Sequence, residues 1–394
     1  MNYLSATKKL TNEFKARGQQ TLTAGYQYVL SKKLSGNNYG AYSEWHNSKP
    51  DLFTTSWVVK FLSNTKQWVE IDERHITDAL NYLKTKQNPE TGEFTGEVEN
   101  QVAEKSNEDL TADVAISLLE NNKYVNKYKS VIDKSLKYLN DQFDSINDSY
   151  GLAISAYALA LGKHDGAQKF LGKLMERAQN TSDTTSWVQG SQTPSSNDIK
   201  TAAYSILALM RLEKSADARN IIAWLISQRN RQGGFLSTED TVIGIQAMTE
   251  AAKRRYSGNF DMDVYFTYDE PNKFINVHID NGNANVLRKE IVPSSDGVSV
   301  NGNGTGVAYV QVWWNFYEKD PRNVSNDYKI KLSNRKLSDE SLNLEFCVKY
   351  EGQGSPSLSV AEINLPSGYE VDEDLSNDLK RNGVKVTKTK KKLY

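Results

Sequence analysis

The chain has 394 residues, 48 of them Lys or Arg and 49 Asp or Glu, for a formal net charge of −1. Apolar residues make up 38% and charged residues 25%, and the length permits two or three domains. The balanced charge gives no surplus for non-specific nucleic-acid binding, and no apolar run of about 18 residues is present to cross a membrane. One cysteine, Cys347, excludes an internal disulfide framework and a multi-cysteine zinc site. The histidines, His46, His75, His164 and His278, are too scattered in sequence for a His-rich metal site. The opening MNYLSATKKL lacks the apolar run of a signal peptide.

Up to residue 256 the apolar positions recur at helical spacing. Amphipathic segments begin near Leu22, Ile76, Val131, Gly166 and Ala216. Each is followed by a more apolar segment, beginning near Thr54, Leu110, Ser149, Ile199 and Thr241. The repeat is roughly 40–55 residues, the period of helical-pair arrays. The stretch Tyr150–Gly162 is apolar on nearly every side, so other helices must surround it. That favours a closed α/α toroid of outer and inner helices over an open solenoid. Three connecting loops share a glycine followed by an aromatic: Gly40-Ala41-Tyr42, Gly92-Glu93-Phe94 and Gly233-Gly234-Phe235. Glycine permits the turn and the aromatic can plug between helices. Ahead of the five pairs stands only Tyr3–Leu10, so the expectation is a six-pair ring whose first inner helix starts before residue 1.

From Asp261 onward the runs are short and alternating. Expected strands are DVYFTY, KFINVHID, VLRKEIV, GVAYVQVWWNF, YKIKLS, LNLEFCVKY and SLSVAEINL. Turns are expected at Asp269–Asn272, Asn281–Asn283, Asn301–Gly304 and Gly352–Gly354. The fold class is therefore mainly α then β, with residues 1–256 as the toroid and 257–320 and 321–394 as two β modules joined at Asp320-Pro321-Arg322. The lysine-rich end, Val384–Tyr394, reads as a solvated strand or chain end, with a polyanion patch as the alternative.

Particular residues resemble the thioester-containing complement and macroglobulin family. Ala24–Gln27, Gly40–Tyr42, Thr54–Phe61, Ile71-Asp72, Ala79–Leu83, Gly92–Phe94 and Leu110–Ala112 are similar to that family's thioester domain. Tyr309–Val312 resembles the strand that returns into a CUB-like module. Leu344–Tyr350 and Val360–Tyr369 look like the start of the C-terminal macroglobulin-type, receptor-binding domain. Among members, the resemblance is to the insect, mosquito-type complement-like proteins. It implies β-sandwich modules after the toroid: a partial CUB-like module, then a truncated macroglobulin-type domain. The family's chemistry is an internal Cys–Gln thioester in a Cys-Gly-Glu-Gln-Asn motif, which these residues do not contain. By the resemblance it would lie shortly before Asn2. The expectation is thus a fragment truncated at both ends, with no catalytic residue of its own, no metal and no cofactor.

A thioester is an activated acyl group that surface hydroxyls and amines attack. In some members a His after the Gly-x-Phe motif reacts first. Here that loop, Thr95–Asp109, holds no His. Glu97 and Asn100 are its candidates near the thioester, although Asn100 has no useful nucleophilic or basic chemistry. Tyr42, Trp45 and His46 lie in the neighbouring loop. His46 reads mainly as an ordinary exposed side chain. The loops Asn37–Asp51 and Glu93–Asp109 are expected to form a variable recognition surface, with Tyr39, Tyr42 and Trp45 as aromatic anchors. Glycosylation sequons at Asn147, Asn180, Asn303 and Asn323 favour a secreted protein of the haemolymph.

The resemblance implies a parent that attaches to hydroxyls and amines of microbial or parasite surfaces and is stabilised by other immune proteins. A macroglobulin-type endopeptidase inhibitor is the alternative. Other helical rings are enzymes. A terpene cyclase needs an Asp-rich motif, and Asp261-Met262-Asp263 lies in the β half. A prenyltransferase needs zinc on Asp, Cys and His, and Cys347 is also in the β half. A glycosidase needs two carboxylates across a cleft; the sequence leaves Glu44, Asp51, Glu93 and Glu97 open for that role. A plain binding scaffold also remains. The balance of residues favours a protein that is not an enzyme.

Overall fold

The computed structural model describes residues 1–351, apart from 44–48, 97–105, 189–192, 231, 256–258, 269–273, 285, 292–296, 307, 309, 313–327 and 337–341. The chain divides into two compact units, Met1–Lys319 and Asp320–Tyr394.

The first unit opens with a short helix, α1 (Asn2–Ala6), followed by α2 (Asn12–Leu30) and α3 (Leu52–Thr65). Helices α4 (Glu73–Lys86), α5 (Asn107–Leu119), α6 (Lys129–Asp141), α7 (Ser149–Leu161) and α8 (Gly166–Met175) come next. A two-residue hairpin, β1 (Gln179–Asn180) and β2 (Thr185–Ser186), precedes α9 (Ser196–Arg211), α10 (Arg219–Ser227) and α11 (Thr238–Arg255). The odd-numbered helices pack in succession, α3 on α5, α5 on α7, α7 on α9 and α9 on α11, and α1 packs on α11. This is a ring. The even-numbered helices lie outside it, each against an odd-numbered neighbour.

Burial explains the division. In α7 every residue from Tyr150 to Ala160 is buried, and in α9 every residue from Ile199 to Met210. Outer helix α6 buries one stripe only, Val131, Ile132, Ser135, Leu136, Tyr138 and Leu139. A fully buried Leu-sized side chain contributes about 1.5–3 kcal/mol, so the inner helices supply most of the core. Helix α2 begins at Asn12, well ahead of the expected Leu22. Thr11 caps it, its hydroxyl accepting from the Phe14 amide at 3.2 Å. Residues 11–17 are all exposed, so no apolar period marks that first half.

Three inner helices end alike. After α1, α7 and α9 the chain adopts a left-handed residue, Lys8 (φ 58°), Lys163 (φ 54°) and Glu213 (φ 60°). The following amide closes a wide hydrogen bond back to the helix: Lys9 to Leu4, His164 to Leu159 and Lys214 to Leu209, at 2.7–2.9 Å. This is the Schellman closure. Short α1 thus ends as α7 and α9 do.

The Gly-aromatic loops turn where a side chain cannot fit. Gly40 (φ 94°) and Gly92 (φ 85°) have left-handed backbones. A Cβ on Gly40 would lie 2.4 Å from the Asp78 carbonyl oxygen, and one on Gly92 2.5 Å from that of Lys134. Each loop therefore lies directly on the backbone of the next outer helix.

Beyond the helices, β3 (Asp261–Tyr268), β4 (Phe274–Asp280) and β5 (Val298–Thr305) form an antiparallel sheet in the order β4-β3-β5. Three expectations fail here. Asn301–Gly304 is not a turn; it lies within β5, with Asn303 opposite Asp263. Gly304 (φ 118°) lets β5 come so close to β3 that a Cβ would meet the Asp261 oxygen at 2.2 Å. VLRKEIV is not a strand over its described part. Residues 286–291 pair with no strand among the described residues, Val286, Leu287 and Ile291 are exposed, and the Val286 amide turns back to the Asn283 carbonyl. Of GVAYVQVWWNF, Gly306, Ala308 and Val310–Val312 are outside any strand, and the remainder lies outside the described residues. In the second unit, β6 (Tyr328–Lys336) and β7 (Leu342–Tyr350) form an antiparallel hairpin with Tyr328 opposite Tyr350. Cys347 on β7 is an exposed free thiol. The expected strand SLSVAEINL, the turn Gly352–Gly354 and the lysine-rich end lie outside the described residues.

Gly92→Ala should lower the ring's stability by more than about 1 kcal/mol, because the substituent meets backbone at a left-handed position. Gly172→Ala in α8 should raise it by about 0.5–1 kcal/mol, since nothing lies within 4 Å of its Cβ position. Urea midpoints of the two variants, shifted in opposite directions, check both.

Candidate functional site

The inner helices share one direction, so their N-termini gather at one end of the ring. From α3 to α11 each is capped by a short polar side chain. Asp51 accepts from the Thr54 amide at 2.7 Å, Ser106 from Asp109 at 3.1 Å and Asp148 from Gly151 at 2.7 Å. Ser195 with Asp198, and Ser237 with Asp240, make reciprocal capping boxes. Capping satisfies amides that the helix leaves open.

Three of these ends carry a further device that sequence reading missed. The amide of Tyr42 donates to the Thr55 hydroxyl at 3.0 Å, that of Phe94 to Thr111 at 2.9 Å, and that of Phe235 to Thr241 at 2.9 Å. In each case the aromatic side chain is buried, at 0%, 0% and 4% exposure. The loop is thus plugged into the core by its aromatic ring and stapled to the inner helix by a threonine. The residues joined are 13, 17 and 6 apart in sequence. Loops of very different length therefore rest on the same fixture. The signal was present as a threonine in the first turns of three apolar helices, but periodicity does not weigh hydroxyls.

Tyr42 must be corrected as an interface anchor. It is wholly buried, and burial, with Tyr26, Asp78 and Tyr39 nearby, pushes its phenol well above the ordinary range. It holds the loop from beneath. Tyr39 is the exposed aromatic, at 59%, with the Lys33 ammonium 4.6 Å from its ring centre. Trp45, His46, Glu97 and Asn100 lie outside the described residues, as do Glu44 and Asn323. Glu93 is placed: its carboxylate oxygens accept from Asn88 and Asn107, each at 3.4 Å. Asp51 is occupied as a helix cap. Asn147, Asn180 and Asn303 are all exposed.

A polar chain also runs through the middle of the ring. Lys60 of α3 lies 3.4 Å from Glu120 at the end of α5, both side chains at most 10% exposed. Tyr157 of α7 and Gln246 of α11 both donate to the other Glu120 oxygen at 2.8 Å. Nearer the capped end, Lys200 of α9 meets Glu239 of α11 at 3.2 Å and stands 4.6 Å from the ring centre of Tyr150. Tyr150, Tyr157 and Tyr204 stack along this line, with centroids 5.9–6.1 Å apart between neighbours. Burial raises all three phenols far above their ordinary value. Such a chain registers the helices against one another. Among the described residues no group of three His, Cys, Asp or Glu side chains could hold a metal ion.

The sequence profile of the A-macroglobulin TED domain matches residues 1–251. Thioester-containing protein 1 allele R1 of Anopheles gambiae is 27% identical over 402 residues, covering 98% of this chain and 29% of that protein. Alleles S3 and S1 of the same protein are each 28% identical over 392 residues, covering 95% of this chain and 28% of theirs. The chain spans less than a third of the length of these relatives.

Thr111→Val should lower stability by about 1–3 kcal/mol by leaving the buried Phe94 amide unpaired, while Thr111→Ser should cost much less; equilibrium denaturation separates them. Alkaline unfolding provides a second check. Tyr124 is raised to about 12, by burial first and then by its hydrogen bond to Glu73, against about 10 in an unfolded chain. The raised value contributes stability that is complete below pH 10 and lost as pH rises toward 12. Denaturation midpoints should fall across that window, and Tyr124→Phe should make the fall shallower.

Proposed function

The chain belongs to the A-macroglobulin TED-domain family, and on that premise we propose that it forms the ring domain and following β modules of a secreted complement-like protein that marks microbial or parasite surfaces through a Cys–Gln thioester. The single observation that carries the reading is the capped end of the ring. There the Gly-aromatic loops, matched by resemblance to the family's thioester domain, are stapled side by side over buried Tyr42 and Phe94. Loops resting on such a fixture can change without disturbing the core, which suits a recognition surface. The same end is where we place the thioester, with Trp45, His46, Glu97 and Asn100 beside it in the two loops.

The residues 257–320 are assigned to a CUB-like module and 321–394 to a macroglobulin-type domain, each read as a β-sandwich in the longer protein. The exposed sequons Asn147, Asn180 and Asn303, together with Asn323, support glycosylation and passage to the haemolymph. Attack by surface hydroxyls and amines on the thioester, and association with other immune proteins after processing, follow from this reading. The loop at 95–109 holds no His, so transfer proceeds without an acyl-imidazole step and favours amines. The alternative, an endopeptidase inhibitor of the macroglobulin type, shares the thioester and differs in what it captures.

Labelled methylamine tests the reading. A longer natural protein containing these residues should take up one methylamine per molecule, at a glutamine outside residues 1–394. The 394-residue chain alone should take up none. Labelling inside the ring, or none in the longer protein when freshly purified and unreacted, would overturn it.

A further inference from the structure

The opposite end of the ring has a different chemistry. Here the inner helices finish and the chain turns back to the next outer helix. These turns are lysine-rich: Lys8 after α1, Lys123 and Lys127 after α5, Lys163 after α7 and Lys214 after α9. All five side chains are exposed. Basic residues are expected at helix C-termini, where they oppose the helix dipole for roughly 0.3–1 kcal/mol each. Two features exceed that expectation.

The first is where two of the lysines stand. Lys8 and Lys163 occupy the left-handed positions that close their helices, at φ 58° and 54°. A residue with a Cβ costs about 1–2 kcal/mol there, and glycine is the usual occupant. Stability is given up at both positions for a lysine, and at the third, after α9, for Glu213 followed directly by Lys214. The second is the lack of ion-pair partners at four of them, although the Lys127 ammonium lies 5.3 Å from the Tyr128 ring centre. Glu73 is engaged by Lys66 and Lys123, and Asp72 by Arg74. Lys8, Lys127, Lys163 and Lys214 form no ion pair among the described residues. The acids Asp165, Glu213 and Asp217 share this end without closing on them. At the other end of the ring the caps and first turns are acidic, with Asp51, Glu108, Asp148, Asp198 and Glu239.

We infer that the end of the ring formed by the inner-helix C-termini binds a sulfated polysaccharide through Lys8, Lys127, Lys163 and Lys214. Adjacent packed helices stand 8–10 Å apart, so the cations are set out in steps along an arc. A flexible linear polyanion can follow such an arc. The chemistry of the surface disfavours other polyanions. The tyrosines of the turn after α5, Tyr124 and Tyr128, are buried, so they offer no platform for stacking bases. Among the described residues, no exposed large apolar side chain belongs to these turns, as insertion into a bilayer would need. The β4-β3-β5 sheet borders the arc at α1, where Lys9 donates to the Asn281 carbonyl. This site lies away from the capped end and goes beyond the thioester reading.

Retention of the full chain on immobilised heparin tests the inference. The wild-type chain should bind at physiological ionic strength and elute with salt. The triple variant Lys8→Gly/Lys127→Ser/Lys163→Gly should elute at much lower salt. Glycine suits both left-handed positions, so the variant should fold, and circular dichroism confirms it. The slope of log K against log salt should fall by roughly one per lysine removed. Lys388→Ser/Lys390→Ser/Lys391→Ser, in the basic chain end, should leave retention unchanged. The inference is overturned if the wild type passes through unretained, if the triple variant binds as well as the wild type, or if the chain-end variant alone abolishes binding. Equal or tighter binding to single-stranded DNA or phosphatidylserine vesicles would also overturn it, because the arc would then not select a polysaccharide.

Discussion

A helix that is apolar on every face can exist in water only when other helices surround it. Helix α7, buried from Tyr150 to Ala160, imposes that condition on the first unit. Its neighbours must be helices, theirs likewise, and the arrangement closes on itself where α1 meets α11. Once the helix sides are committed to packing, chemistry is left to the ends of the ring and to its axis. The axis takes buried charges of the inner helices, among them Lys60 with Glu120 and Lys200 with Glu239. Buried pairs of this kind add little net stability, because desolvation offsets their attraction. Their value is in register, since Glu120 joins α3, α5, α7 and α11 at one point.

The two ends then differ for a simple reason. Parallel inner helices present open amides at one end and open carbonyls at the other. Acidic caps and staples suit the first, and lysines suit the second. On the readings proposed above, the thioester surface and the lysine arc take opposite ends of one scaffold, and neither draws on the residues that hold the ring together.

Much of this was legible in the sequence. The alternation of amphipathic and wholly apolar segments gave the outer and inner helices, and the count of five pairs plus one remnant matches α1 through α11. The Gly-aromatic repeats marked the stapled loops. Periodicity was blind to what it does not measure. The first half of α2 has no buried face, and so no period. Asn301–Gly304 carries turn residues, but its Gly304 serves close strand approach in β5. Tyr42 looked like a surface anchor because its loop is polar, whereas its ring is the part of the loop that faces inward. The central charges stood out in the sequence as Lys60 and Lys200 within apolar helices, yet only three dimensions bring Gln246 to Glu120.

That last contact has a kinetic consequence. Contacts between successive helix pairs are local in sequence and can form one after another, as in linear repeat proteins. The Glu120–Gln246 contact spans 126 residues, and the meeting of α1 with α11 spans nearly the whole ring. Long-range closures of this kind come at the cost of chain entropy before any contact rewards them. A ring assembled from one side toward the other therefore passes through an open arc, and α11 finds its place only after the chain carrying the last repeat has left the ribosome.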